Sequence, residues 1–322
     1  MKRLLPLVLI AAPAMAQDKP VLTVLTYDSF NSEWGPGPEV ERRFEAACEC
    51  DLVFQTGGDG AALLARLQLE GSGTEADIVL GLDTNLMARA RETGLFAPHE
   101  VEAPGLDLPV EWSDETFLPF DWGWFAFVRR VDTSAPASLE ELAESDLKVI
   151  VQDPRSSTPG LGLALWLEMA GGADLMDAMA DNVVTVTKGW TEAYGLFTEG
   201  EADLVLSYTT SPAYHLIAEE DDGFAADAMA EGNYLQVEVA AKVAGTDQPV
   251  LAQRFLEFMV SDAFQDVIPT TNWMYPARIP DEGLPEGFET LAEPETTLLA
   301  DPADAAAPSR AAAAWLDALA RR

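Results

Sequence analysis

The feature that most constrains the fold is a short, nearly all-apolar run, Ala76-Asp77-Ile78-Val79-Leu80, set between segments of helical periodicity. A strand with so little polar alternation is buried on both faces, the condition of a parallel sheet covered by helices. The same alternation continues along the chain. Residues 21–26 read as a strand, 38–47 as a helix, 51–55 as a strand, and 61–69 as a helix with Leu63, Leu64 and Leu67 on one face. After the aromatic run 117–127 a second unit follows, with strands at 148–152, 183–187 and 203–207 and helices at 161–169 and 191–197. A long β-type segment, 234–243, leads to a helix at 250–261, and a last helix is expected at 311–319. This pattern predicts an α/β protein of two lobes that closes on a ligand by hinge bending, with 124–129 and 237–243 as the crossings.

The N-terminus carries an address. Lys2 and Arg3 precede the apolar run Leu4 to Ala12, and Ala14-Met15-Ala16 has the small-x-small form of a signal peptidase site. The run is shorter than the ~18 apolar residues of a membrane span, so it reads as a removable secretory signal. The expected divisions are a signal peptide at 1–16, a first lobe at 17–124, a second lobe at 125–244, and a return to the first lobe at 245–322 ending in a helix. No Cys follows the cut, which argues against a lipid anchor.

The formal charge is −36. A field of that sign repels nucleic acid and anionic lipid and attracts cations, although a solvated acidic coat produces it equally well. Cys48 and Cys50 are the only cysteines. An oxidising compartment permits a local disulfide between them, with free thiols as the alternative.

Three loops stand where ligands bind in open α/β sheets, at strand ends that lead into helix starts. They are Gly58-Asp59-Gly60, Arg155 to Gly160, and Tyr208-Thr209-Thr210-Ser211-Pro212. Backbone N–H groups and hydroxyls there suit an anion such as a phosphate. Helix capping alone would also place Ser, Thr, Asp and Gly at these positions. Aromatic residues form a second clue: Tyr27, Trp34, Trp190, Tyr208, Tyr214, Trp273 and Tyr275 lie in or beside expected turns. Their faces can stack a flat ring, and a cationic ring best; ordinary packing is the alternative. Phe120, Trp122, Phe125 and Phe127 read as core.

An enzyme finds little support. His99 and His215 are isolated in sequence, and neither a zinc-binding HExxH nor a GxSxG or Walker sequence is present. Tyrosine-based capture of ferric iron is a more serious rival, but tryptophans and hydroxyl-rich loops are a poor donor set for a hard metal.

Six motifs, in order, carry a resemblance. They are Thr26–Phe30 with Trp34–Pro38, Asp77–Asp83 (DIVLGLD), Gln152–Gly162 (QDPRSSTPGLG), Val184–Tyr194 (VTVTKGWTEAY), Asp203–Tyr214 (DLVLSYTTSPAY) and Asn272–Pro276 (NWMYP). Together they closely resemble the thiamine-binding periplasmic proteins of ABC importers, from about Val21 to about Glu293. The resemblance implies a type II periplasmic-binding-protein fold with the ligand between two hinged α/β lobes. It implies uptake of thiamine, with its mono- and diphosphate, and delivery to a membrane permease with its ATPase. No cofactor, catalysis, nucleic acid or membrane insertion is implied. A ferric-iron or polyamine carrier of the same fold is the alternative. The contacts carried over are Asp59 and Gly60, Ser157 and Thr158, Trp190, and Tyr208, Thr209, Thr210 and Ser211, with Tyr27, Tyr214 and Trp273 as ring-stacking aromatics. One departure, Gly57-Gly58 before Asp59, is expected to loosen that loop. Thiamine suits these residue types: its thiazolium is a permanent cation, its aminopyrimidine offers a donor, and its arm or phosphates suit helix starts and hydroxyls.

Overall fold

Val21–Thr26 (β1) pairs in parallel with Asp51–Thr56 (β2), and helix Gly37–Cys48 (α1) makes the crossover between them. The computed structural model describes residues 19–102 and 105–322, so the signal segment expected at 1–16 lies outside the described residues. Gly60–Glu70 (α2) leads to Ile78–Asp83 (β3), buried at all six positions and parallel to β1. Met87–Glu92 (α3) and the two-residue strand Phe96–Ala97 (β4) close this first unit.

The long strand Leu118–Arg130 (β5) then enters the second unit. There follow Leu139–Ala143 (α4), Val149–Gln152 (β6), Thr158–Ala170 (α5), Gly172–Asn182 (α6), Val183–Thr187 (β7), Trp190–Thr198 (α7), Leu204–Tyr208 (β8), Pro212–Ala218 (α8) and Phe224–Ala226 (β9). Asn233–Val243 (β10) returns to the first unit, ahead of Pro249–Met259 (α9), Asp262–Gln265 (α10), Ile268–Thr271 (α11), Tyr275–Pro276 (β11), Thr297–Leu298 (β12) and Ala307–Arg321 (α12). The strand order is β2-β1-β3-β10-β5-β8-β6-β7.

The two lobes share the strands at the middle of that order. From Leu118 to Trp124, β5 pairs antiparallel with β10; from Phe125 to Arg129 it pairs with β8. On β10, residues 237–243 pair with β3, β4 and β5 inside the first lobe. At the start of β10, Asn233 and Tyr234 pair with Thr297 and Leu298 of β12, and Leu235 pairs with Trp124 of β5.

Helix α5 explains how the second lobe is filled. Its ten residues from Thr158 to Leu167 are all buried, as expected of a helix that is apolar all round and covered on every side. Close approach demands glycine here: a Cβ on Gly162 would lie 2.0 Å from the Phe125 ring. Helix α7 covers the opposite face of the same sheet, with Ala193, Tyr194 and Phe197 against Ala126, Val128 and Val205.

The tail differs from the expectation that residues 245–322 all return to the first lobe. Helix α12 packs on α5 and α6 of the second lobe. Its apolar stripe, Ala307, Ala311, Trp315 and Ala318, has helical spacing and needs a partner face. Arg310 pairs with Glu168 at 2.8 Å and Arg321 pairs with Asp177, fixing the dock from both ends. Cys48 and Cys50 form a disulfide, and Glu49 between them adopts a left-handed conformation at the end of α1. No helix among the described residues is long and apolar enough to cross a membrane.

Trp315 is fully buried. Trp315→Ala is expected to cost about 3–5 kcal/mol through lost packing and an unfilled cavity. Urea unfolding followed by circular dichroism checks this; a midpoint equal to that of the parent would mean α12 is only loosely docked.

Candidate ligand-binding cleft

Three helices begin at the seam between the lobes, α2 at Gly60 from the first lobe and α5 and α7 from the second. First-turn N–H groups lack intrahelical acceptors, so such a seam offers donors. Asp59 and Ser157 stand at the N-cap positions of α2 and α5, yet neither side chain caps its own helix. The Asp59 carboxylate crosses the seam instead, accepting the Trp190 N–H at 3.2 Å. Beside it the Ala62 N–H donates to the Ser156 carbonyl at 3.2 Å. Gly60 makes the approach possible, because a Cβ there would lie 2.7 Å from Thr158 Cγ2. The loops expected as caps or contacts are thus where the lobes meet.

The loop before Asp59 is pinned rather than loosened by its glycines. Asp28 N–H donates to the Gly58 carbonyl and Gly58 N–H donates to Asp28 Oδ1, both at 3.0 Å. Gly58 has φ +85, a conformation that glycine adopts without steric cost.

Next to this contact lies a cavity of about 680 Å³, a size that suits a small organic ligand. The first lobe lends it Tyr27, Trp34 and Asp59, and the second lends Trp190, Tyr208 and Tyr214. Trp34 and Trp190 approach to 6.2 Å between ring centroids, and Trp34 is 49% exposed. Trp190 is steadied from behind: it stacks on Tyr194 at 4.9 Å, and its Nε1–H donates to Ser207 Oγ at 2.8 Å. Tyr214 meets Trp273 edge-on at 5.4 Å. Trp273 has φ +56, an uncommon conformation for a bulky residue. It occupies the position just past α11 that glycine normally takes, which delivers its indole to the cavity.

Of the residues singled out from sequence, Tyr27, Asp59, Gly60, Thr158, Trp190, Tyr208, Ser211, Tyr214 and Trp273 line the cavity. Ser157, Thr209 and Thr210 sit behind its wall, fully buried. The Thr210 hydroxyl points at Met274 Sδ, 3.9 Å away, and Ser211 Oγ pairs with Ser207 Oγ at 2.7 Å while accepting the Tyr208 N–H. Tyr275 is packing: its ring stacks on Trp122 at 4.5 Å.

Sequence reasoning missed the polar floor. Glu238 of β10 lines the cavity and accepts the Tyr27 O–H at 2.8 Å and the Gln236 amide at 2.9 Å. Asn272 donates to Tyr27 Oη at 2.8 Å and to Asp121 Oδ2 at 2.6 Å, while the Tyr208 O–H donates to Gln236 at 2.8 Å. The available signal was a carboxylate set among the apolar residues Val237, Val239, Ala240 and Ala241 of one strand. Burial, then the charges of Glu238 and Asp121, hold the Tyr27 phenol well above its usual range, and burial followed by Glu238 does the same for Tyr208. His215, isolated in sequence, joins the wall: it bonds Glu219 at 2.6 Å and the Tyr194 hydroxyl at 2.9 Å and stacks on Phe224. Burial lowers its basicity, so the neutral ring serves as a spacer between these partners.

Comparisons with known proteins agree with this architecture. A family model described as bacterial extracellular solute-binding protein matches residues 36–266. The thiamine-binding periplasmic protein of Escherichia coli (strain K12) is 55% identical, covering 97% of this chain and 96% of that one. A solved periplasmic thiamin binding protein superposes with a TM-score of 0.91 at 52% identity, over 96% of this chain and 99% of the other. Iron-bound HitA from Pseudomonas aeruginosa has a TM-score of 0.73 at 19% identity, over 93% of this chain and 99% of its own, a likeness of fold alone.

Burial pushes the Asp59 carboxyl up to about 6, against the opposing pull of Ser157 and the Trp190 amide. A carboxyl raised in the fold costs stability once ionised, a cost absent at about pH 4 and complete above the folded pKa. Asp59→Asn keeps an acceptor for Trp190 and cannot ionise. With the partial exposure of this group discounted, the variant is expected to gain about 1 kcal/mol, or about 2–3 °C, at pH 8. At pH 4 it should melt with the parent. Calorimetric melting at both pH values checks this, and identical melting at pH 8 would remove the assigned cost.

Proposed function

This chain belongs to the bacterial extracellular solute-binding proteins, and we propose that it captures thiamine in the periplasm and delivers it to the permease of an ABC importer with its ATPase. It acts by binding, and no catalytic step is assigned to it. The observation that carries this reading is the composition of one cavity. Indole and phenol rings from both lobes face a space whose carboxylates, Asp59, Glu219, Asp221 and Glu238, outnumber Arg130, the one cation among its described lining residues. A flat, permanently positive ring fits such a space. Each aromatic face contributes ~0.5–2 kcal/mol toward a cation, and burial on closure strengthens each polar contact.

In this reading Tyr27, Trp34, Trp190, Tyr214 and Trp273 grip the rings of the ligand. The helix starts at Gly60 and Thr158 hold its hydroxyethyl arm, or the phosphates of thiamine mono- and diphosphate, through backbone N–H groups. Ser157 and the 208–211 loop act chiefly through backbone, since the Ser157, Thr209 and Thr210 side chains are buried behind the wall. The lobes, 17–124 and 125–244, swing about β5 and β10, and the segment 245–322 returns to the first lobe before α12 docks on the second. The high identity to named thiamine-binding relatives supports the choice of ligand. The Tyr27 hydroxyl is engaged by Glu238 and Asn272 and that of Tyr208 by Gln236, an arrangement that weighs against the iron alternative.

Titration calorimetry of the purified protein with thiamine is expected to show saturable binding at micromolar ligand, with spermidine and ferric citrate inert. Trp190→Ala and Tyr214→Ala should each weaken it by ~1–3 kcal/mol, with the folded state of each variant checked by circular dichroism. Absence of saturable heat would overturn the reading, and parental affinity in both variants would remove the aromatic assignment.

A further inference from the structure

Three carboxyls lie in one row across the first sheet beneath the cavity. Asp83 on β3 and Asp121 on β5 are the register partners of Glu238 on β10, one on either side. All three are buried, and none forms an ion pair with Lys or Arg among the described residues. Asp83 is spent locally, accepting the Asn85 and Leu86 N–H groups and the Asn85 amide at 3.0–3.1 Å. Glu238 accepts Tyr27 and Gln236, one donor to each oxygen, whereas Asp121 accepts only Asn272, at Oδ2. Asp121 Oδ1 is buried with no donor among the described residues, and Asp121 and Glu238 stand directly opposite one another in the β5–β10 register.

A bare carboxylate without a donor is expensive to bury, and two carboxyls in contact in a low dielectric do not both ionise. One proton between them satisfies both conditions, supplying the missing donor and halving the charge. Of the pair, Glu238 reaches the cavity wall. The groups that face it are Tyr27 from the loop after β1, Asp83, Asp121, and Tyr208 from β8 through Gln236. Burial keeps both phenols neutral, and Asp83, though burial raises it too, does not reach the cavity wall, so the pair is the group there that can trade a proton for another positive charge.

We propose that the Glu238–Asp121 pair is the cation-recognising element of the cleft: it holds one shared proton without ligand and releases that proton to solvent when a positively charged ring docks. The O–H bond of the pair breaks, the proton passes to buffer, and the charge of the ligand takes its place. This inference rests on the thiamine reading for the identity of the ligand. It requires affinity to climb with pH, by up to about tenfold per unit while the pair is protonated, and then to level off.

Calorimetric titration with thiamine at pH 7, in buffers of different ionisation heat, reads the protons released. Close to one per ligand is expected in the parent. Glu238→Gln should abolish the release and weaken binding at least about tenfold. Asp121→Asn, with folding of both variants checked by circular dichroism, should abolish it too and decides the matter if Glu238→Gln does not fold. Release should persist in Asp59→Asn, which separates the pair from the other raised carboxyl of the cleft. Thiamine binding without proton release in the parent, or release lost only in Asp59→Asn, would overturn this inference and leave the thiamine reading standing. No thiamine binding at all would overturn both.

Discussion

The antiparallel pairing of β5 with β10 is the constraint on which the rest of the molecule depends. Each strand is long enough to leave the sheet of one lobe and enter the neighbourhood of the other, 13 residues in β5 and 11 in β10. Their shared register places Asp121 opposite Glu238 and carries β5 on to β8 after Trp124. The line about which the lobes are joined is therefore also the line that bears the buried carboxyl pair. A ligand in the cleft meets a floor made of hinge strand rather than of a loop, and charge at that floor is felt where closure excludes water.

The walls follow from a different economy of groups. Asp59 and Ser157 stand at cap positions without capping, so their side chains leave the starts of α2 and α5 uncovered at the seam. Glycine supplies the clearance for that seam at Gly60, and at Gly81, where a Cβ would lie 2.1 Å from the Tyr27 ring. The aromatic rings are held from behind by partners outside the cavity wall or deeper in it, as Trp190 is by Ser207 and Tyr194. Pre-set rings lose little freedom when a ligand arrives, so more of the stacking energy appears as affinity.

Much of the fold was legible because burial on both faces leaves a mark in composition. The strand Val183–Thr187 falls on its expected bounds, and α2, α5, α7 and α9 fall within a few residues of theirs. Helix α6 was not foreseen: it opens at Gly171-Gly172, which reads as a breaker, and Asp174, Asp177 and Asp181 blur its apolar face. That α12 docks is legible from Trp315 and Leu316, but its partner face, α5 and α6, was hidden, since an alanine-rich stripe with one tryptophan fits many helix faces. In the site, the aromatic and loop residues could be named because their chemistry resides in the residue type. Glu238, Asp121 and Asn272 could not, because their partners lie far off in sequence: Tyr27 and Glu238 are 211 residues apart, Asn272 and Asp121 are 151.

By itself the sequence determined an α/β chain with an acidic surface, strands buried on both faces, and a set of rings and helix starts suited to a flat cation with a polar arm. These are local properties, set by composition and spacing within a few residues. Which rings face one cavity, which hydroxyls turn inward, and which two carboxyls share a proton were decided only by the tertiary structure. Strand register and lobe contact bring together groups that no periodicity connects, and a buried charge acquires its properties from neighbours that only the folded chain supplies.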